Sequence, residues 1–71
     1  MEKIFAQYFI RDGNKRVYLT PGKMIVRQTE PRMGEQVVVN GTKYEITSAD
    51  YDYELWQAFK DKIYDVAVKK I

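Results

Sequence analysis

PRMGEQVVVNGTKYEI, residues 31–46, decides the fold. Asn40-Gly41 suits a two-residue type I′ turn, which needs φ > 0 at both central positions. With the turn there, Val39 faces Thr42, Val37 faces Tyr44 and Glu35 faces Ile46. The opposite face pairs Val38 with Lys43 and Gln36 with Glu45. One face is then Val37, Val39, Tyr44 and Ile46, all apolar, and the other is mostly polar. A slip of one residue would mix the two sets, so turn chemistry and hydrophobic pattern specify the same register. Pro31 interrupts whatever strand precedes, and Gly34 permits a tight return. The stretch reads as the frame of a β-hairpin, not as a ligand loop.

The same rhythm extends outward in both directions. Turn signals recur at Asp12-Gly13-Asn14, Pro21-Gly22, Pro31 to Gly34 and Asn40-Gly41, with short apolar runs between them. That spacing predicts a small β meander. A first hairpin is expected from Lys3 to Arg11 and Lys15 to Thr20. A turn on Asp12-Gly13 or on Gly13-Asn14 gives the same faces, since the two registers differ by two residues. One face carries Ile4, Ala6, Tyr8, Ile10, Val17 and Leu19. The other carries Phe5, Gln7, Phe9, Arg11, Arg16 and Tyr18. A three-residue turn would change that assignment. Pro21-Gly22 is expected to turn the chain into a third strand over Lys23 to Gln28.

The C-terminal third carries two patterns. Leu55, Phe59, Ile63 and Val66 fall on one helical stripe, with Asp50 or Asp52 available as a cap. Tyr64, Val66 and Val68 alternate with Asp65, Ala67 and Lys69, as in a strand. The preferred reading is a short helix at about residues 52–61 and a closing strand at about residues 63–70. The alternative is one continuous terminal helix packed on an open sheet.

Seventy-one residues are expected to form a single small domain, residues 1–71. A chain this short buries a small core. It has no cysteine, so neither a disulfide nor a thiolate zinc site can staple it. Ten aromatic residues, six of them tyrosine, must supply much of the packing. No apolar run approaches the ~20 residues that span a bilayer, and residues 1–9 lack a signal-peptide core. The expectation is a soluble, cytoplasmic protein without a membrane partner. A net charge of +2 is too mild for the basic stripe of a duplex-DNA binder.

Catalysis has little to stand on. With neither His nor Cys, the commonest general base and the best nucleophile are missing. The chain is therefore expected not to be an enzyme, and no motif calls for a cofactor. Asp50-Tyr51-Asp52-Tyr53-Glu54 presents alternating carboxylates. It lacks the glycine and distant bidentate Glu of a calcium loop, so capping or a solvated edge is the better reading, and no metal is expected. Arg32, in Pro31 to Gly34, has neither the glycine spacing nor the following helix of a phosphate loop. Met33 at the same turn is at most a weak contact for a partner. Lys60, Lys62, Lys69 and Lys70 read as solubilising charges or as gatekeepers on an edge strand.

The most informative candidate is the second face of the first hairpin. Phe5, Phe9 and Tyr18 would stand there beside Arg11 and Arg16. Rings flanked by arginines suit a protein-binding hot spot, and they equally suit a stacking platform for unpaired bases. The competing reading is that Leu55, Trp56 and Phe59 simply cover this face. Three functions follow in order of expectation. The first is recognition of a macromolecular partner, another protein, through these five residues. The second is single-stranded nucleic-acid binding through the same rings. The third is a structural role in a homo-oligomer whose strand edges pair between chains.

Pro31-Arg32-Met33-Gly34-Glu35, then Val37 to Gly41, then Tyr44-Glu45-Ile46 together resemble a pattern in small SH3-like β-barrel proteins. Many of these are accessory proteins of bacteria and their phages or prophages. The resemblance covers about half the chain and reports turn geometry. It implies a mainly β fold with minor α: a five-stranded SH3-like barrel or strongly bent antiparallel sheet with a short C-terminal helix. Residues 63–71 are similar to the basic closing strand of that pattern. Tyr51 to Lys62 departs from it, being longer and more helix-like, and no functional residues come with the resemblance.

Overall fold

The computed structural model describes residues 3–59 and 61–71, and of Leu55, Trp56 and Phe59 only the backbone. The chain runs β1 (Ile4–Asp12), β2 (Lys15–Tyr18), β3 (Ile25–Arg27), β4 (Gln36–Val39), β5 (Thr42–Tyr51), α1 (Tyr53–Phe59) and β6 (Lys62–Lys70). The protein is mainly β, and its described strands form one six-stranded sheet.

The hairpin of residues 31–46 has the register its pattern predicts. Gln36 pairs with Glu45, Val37 with Tyr44, Val38 with Lys43 and Val39 with Thr42. Asn40 and Gly41 have φ of 52° and 78°, the two positive values a type I′ turn requires. The Ile46 amide donates to the Glu35 carbonyl at 2.9 Å, extending the pairing to Glu35. The first hairpin turns on Gly13-Asn14, with Asp12 opposite Lys15 and Phe9 opposite Tyr18.

Pro21-Gly22 turns the chain into a third strand, as its turn chemistry predicts, and that strand rejoins β1. β2 and β3 both run antiparallel to β1 and lie end to end along it, β2 against Phe9–Asp12 and β3 against Ile4–Ala6. Between them Thr20–Lys23 leave the ladder as a β-turn, closed by the Lys23 amide donating to the Thr20 carbonyl at 3.0 Å. Pro21 and Gly22 occupy the two central positions, and the 78° φ of Gly22 marks a type II turn. The two strands are one interrupted edge strand.

The chain ends in a strand, and a helix of about two turns precedes it; no helix stands at the C-terminus. β6 lies in the middle of the sheet and not at a closing edge. It is parallel to β1, from Ile4 opposite Lys62 to Phe9 opposite Ala67, and antiparallel to β5. The sheet is therefore mixed, where an antiparallel one was expected. Strands buried on both faces read as near-continuous apolar runs. β6 fits: Ile63, Val66, Ala67 and Val68 are all buried. At the bulge between Ile46 and Ser48, the Thr47 hydroxyl donates to the Ala67 carbonyl at 3.1 Å. The bulge shifts parity, so Ile46 and Ala49 both face the core although three residues separate them.

The sheet is open, with six strands in place of the five of a barrel. Its order is β2-β1-β6-β5-β4, with β3 beside β1, and no ladder joins β2 or β3 to β4 among the described residues. Yet the outer strands curl towards each other over a core of Ala6, Tyr8, Val39, Ile46, Val66 and Val68. Side chains bridge the gap. Arg27, at the end of β3, donates to the Glu35 carboxylate and to the Tyr8 hydroxyl, both at 2.5 Å. Asn40 donates its side-chain amide to the Leu19 carbonyl at 3.1 Å. No helix among the described residues is long and apolar enough to cross a membrane.

Candidate functional site

The register of β1 and β2 brings the five expected site residues to one sheet face. Phe9 lies opposite Tyr18, and Arg11 opposite Arg16. Phe5 stands four residues back along β1, flanked by Val26 of β3 and Ile63 of β6. Their exposures differ sharply. Phe9 is 0% exposed, Phe5 and Tyr18 are half-buried, and both arginines are exposed.

Phe9 is thus a foundation and not a free stacking platform. Its ring meets Tyr18 at 5.5 Å between centroids, tilted by 56°. The Arg16 guanidinium lies 4.8 Å from the Phe9 centroid and that of Arg11 lies 5.7 Å away. Such cation–π contacts contribute about 0.5–1 kcal/mol each at exposed sites. They also restrain two side chains that would otherwise move freely. The result is a pair of outward-facing cations held on a rigid aromatic base. Whether Leu55, Trp56 and Phe59 also reach this face lies outside the described residues.

Electrostatics around Arg16 are uneven. A hydrogen bond with Tyr18 holds its guanidinium above the ordinary range against desolvation, with lesser help from Asp65 and Asp50. It also reaches Asp65 at 3.5 Å. Asp65 sits on β6, opposite Asp50 of β5, with its side chain only 19% exposed. Burial pushes its carboxyl up; Arg16 opposes this, and Asp52 and Asp50 add to it. Its Oδ1 atom is buried without a hydrogen-bond partner. Sequence reasoning gave Asp65 no role. The signal was a lone carboxylate within the apolar run Ile63 to Val68.

Beside Tyr18 the Thr20–Lys23 turn folds out an open cleft of about 300 Å³, lined by Gln7, Tyr18, Pro21, Lys23 and Met24. It continues the arginine surface with a partly apolar recess.

The remaining candidates are dispersed. Asp50 ends β5, Asp52 stands just before α1, and Glu54 lies in the helix's first turn. Among the described residues no three metal-ligating side chains converge. Arg32 opens a turn closed by the Glu35 amide, and Met33 projects from it, 76% exposed. Lys62 contacts Glu30 at 3.2 Å. That bond, with one from Tyr64, holds the Glu30 carboxyl below the ordinary range. Lys69 lies 4.0 Å from Glu45. Lys60 lies outside the described residues. No family model, curated protein or solved structure matches the chain, so the chemistry of this surface has to be read from its own geometry.

Proposed function

We propose that the protein is a non-enzymatic binding module that recognises another protein through the surface formed by Arg11, Arg16 and Tyr18, with Phe9 and Phe5 beneath. The observation that carries this reading is the exposed arginine pair seated on the fully buried Phe9 ring. Hot spots are enriched in arginine and tyrosine held rigidly next to a recess that a partner's side chain can fill. The cleft beside Tyr18 supplies that recess. Nucleic-acid stacking is the weaker reading, because a base needs an open ring face and Phe9 offers none. Self-association is favoured by the outer edges, which meet no further strand among the described residues: β4, where Val38 is 65% exposed, and β2 and β3 on the other side. Affiliation with SH3-like phage or prophage accessory proteins of the cytoplasm draws support from the turns of residues 31–41 alone.

The test compares the wild type with Arg16→Ala and Tyr18→Ala. Protein partners captured by the wild type should be lost at least tenfold by both variants, while backbone NMR spectra stay those of the folded chain. Titration with short single-stranded DNA and RNA should leave Tyr18, Arg11 and Arg16 unmoved. Salt-sensitive shifts on those residues would replace the proposal with nucleic-acid binding. A mass that rises with concentration would favour the oligomer.

A further inference from the structure

The parallel ladder between β1 and β6 stops early, and both strands continue past the point where it stops. Its last pair is Phe9 with Ala67. Beyond it Ile10–Asp12 pair with β2 on one side, and Val68–Lys70 pair with β5 on the other. The two strands diverge and leave a wedge between them. Backbone groups alternate edges along a strand. The Tyr8 carbonyl accepts from Leu19 on the β2 side, so those of Phe9 and Arg11 face β6. The Ile71 amide donates to the Lys43 carbonyl on the β5 side, so those of Lys70 face β1. Arg11 and Lys70 therefore direct main-chain donors and acceptors into the wedge, where no described strand meets them.

The wedge holds a cleft of about 420 Å³, within the size range of ligand sites. Its floor is apolar, made by Ile10, Tyr44, Ala67 and Val68, and its rim carries Arg11, Lys69 and Lys70. Glu45 lies 4.0 Å from Lys69. Two cations on one face, Arg11 and Lys69, and an apolar set on the other, Ile10, Tyr44 and Val68, between two open strand edges, fit one kind of occupant.

We infer that the wedge accepts an extended acidic peptide segment of a partner protein, which inserts as a short strand between β1 and β6. Its backbone bonds to Arg11 and Lys70, its apolar side chains meet Ile10, Tyr44 and Val68 on the core side, and its carboxylates meet Arg11 and Lys69 on the other face. Strand addition of this kind takes affinity from main-chain bonds and specificity from alternate side chains. The inference rests on the protein-binding reading, but it names a different contact, sharing only Arg11 with the surface described above.

The experiment is an NMR titration of the labelled protein with a capped octapeptide alternating Glu and Val. The controls are the Lys-Val counterpart, inorganic phosphate and a short single-stranded DNA. The Glu-Val peptide should shift residues 10–12 and 67–70 and slow amide exchange at Arg11 and Lys70 at least tenfold. The Lys-Val peptide should do neither, and Lys69→Glu should weaken binding at least tenfold with the remaining spectrum unchanged. Shifts without exchange protection, or the same shifts with phosphate, would reduce the wedge to an anion site and overturn the inference. DNA binding there with protection absent would overturn it in favour of a nucleic acid. Peptide shifts confined to Arg16 and Tyr18 would overturn it while leaving the protein-binding reading intact. Wedge binding should be unaffected by Arg16→Ala and Tyr18→Ala, since neither residue lines the wedge, and its loss in those variants would overturn the inference. A flat response to the Glu-Val peptide would also overturn it.

Discussion

Asp65 occupies the central strand, faces Asp50 across the β5–β6 ladder, and leaves one oxygen buried without a hydrogen bond. Like charges directly opposed across a pair of strands are destabilising, and an unsatisfied buried acceptor adds its desolvation cost. Among the described residues Arg16, at 3.5 Å, offsets them. Because burial raises the carboxyl's folded pKa, the native state holds a proton that the unfolded chain has lost. Stability from this group is therefore present at low pH and is lost as pH rises through the raised value. Asp65→Asn should stabilise the protein by about 1 kcal/mol at neutral pH. The gain should shrink as pH falls towards the ordinary carboxylate range. Thermal denaturation of both chains from pH 4 to pH 7 reads this directly, and a variant less stable at pH 7 would mean that the Arg16 contact dominates. At this scale the sequence was half legible. Alternation placed Phe5, Phe9, Arg11, Arg16 and Tyr18 on one face. It said nothing of depth, and depth is what separates a buried Phe9 from an exposed Arg16. Burial of Phe9 follows from having β6 on its other side, a pairing of residues nearly sixty positions apart in the chain.

Elements whose geometry is set by local turn chemistry were readable, and those set by distant pairing were not. Asn40-Gly41 dictates two positive φ values, and the alternation around it leaves a single register. Pro21-Gly22 dictates a type II turn equally well, but a type II turn does not say whether the strand beyond it moves to a new place or rejoins the old one. The bulge at Thr47 hides in the same way, since it breaks the alternation that sequence reasoning relies on. The interrupted-strand arrangement has a direct test. Phe9 pairs with Tyr18 and Phe5 with Val26, so the two registers differ by four residues, the length of the excursion. Deleting Thr20–Lys23 should join Leu19 to Met24 and continue one antiparallel strand along β1. The shortened chain should fold, keep a cooperative unfolding transition, and show cross-strand NMR contacts between Gln7 and Met24. It should also lose the cleft beside Tyr18. A deletion variant that is unfolded would mean that the turn directs the path of the chain.

At the scale of the molecule, the sheet stops short of a barrel, and side chains take over where the backbone ladder ends. Turn patterns suggested closure because they report local bends, while closure depends on whether two distant edges come within ladder distance. Here β3 and β4 meet through Arg27, whose side chain is only 9% exposed. Burial opposes its charge, but hydrogen bonds to Glu35 and to Tyr8 outweigh it and hold the guanidinium above its ordinary range. Its Nε also donates to the Thr29 carbonyl at 3.0 Å. One cation thus ties the edge strand, the core tyrosine and the start of the 35–46 hairpin. Removing it leaves a carboxylate and a hydroxyl without their donor, which costs more than the ion pair itself contributes. Arg27→Ala should destabilise the protein by about 2–3 kcal/mol in urea unfolding. Glu35→Ala should cost less, about 1 kcal/mol, since that carboxylate is partly solvated and Arg27 keeps Tyr8 and Thr29. The double variant should recover part of the sum, because neither partner is then left alone. If Arg27→Ala stays within the ~0.5 kcal/mol of an ordinary surface change, the seam is held by the core beneath it. The arginine would then be a lid on a sheet that curls for apolar reasons alone.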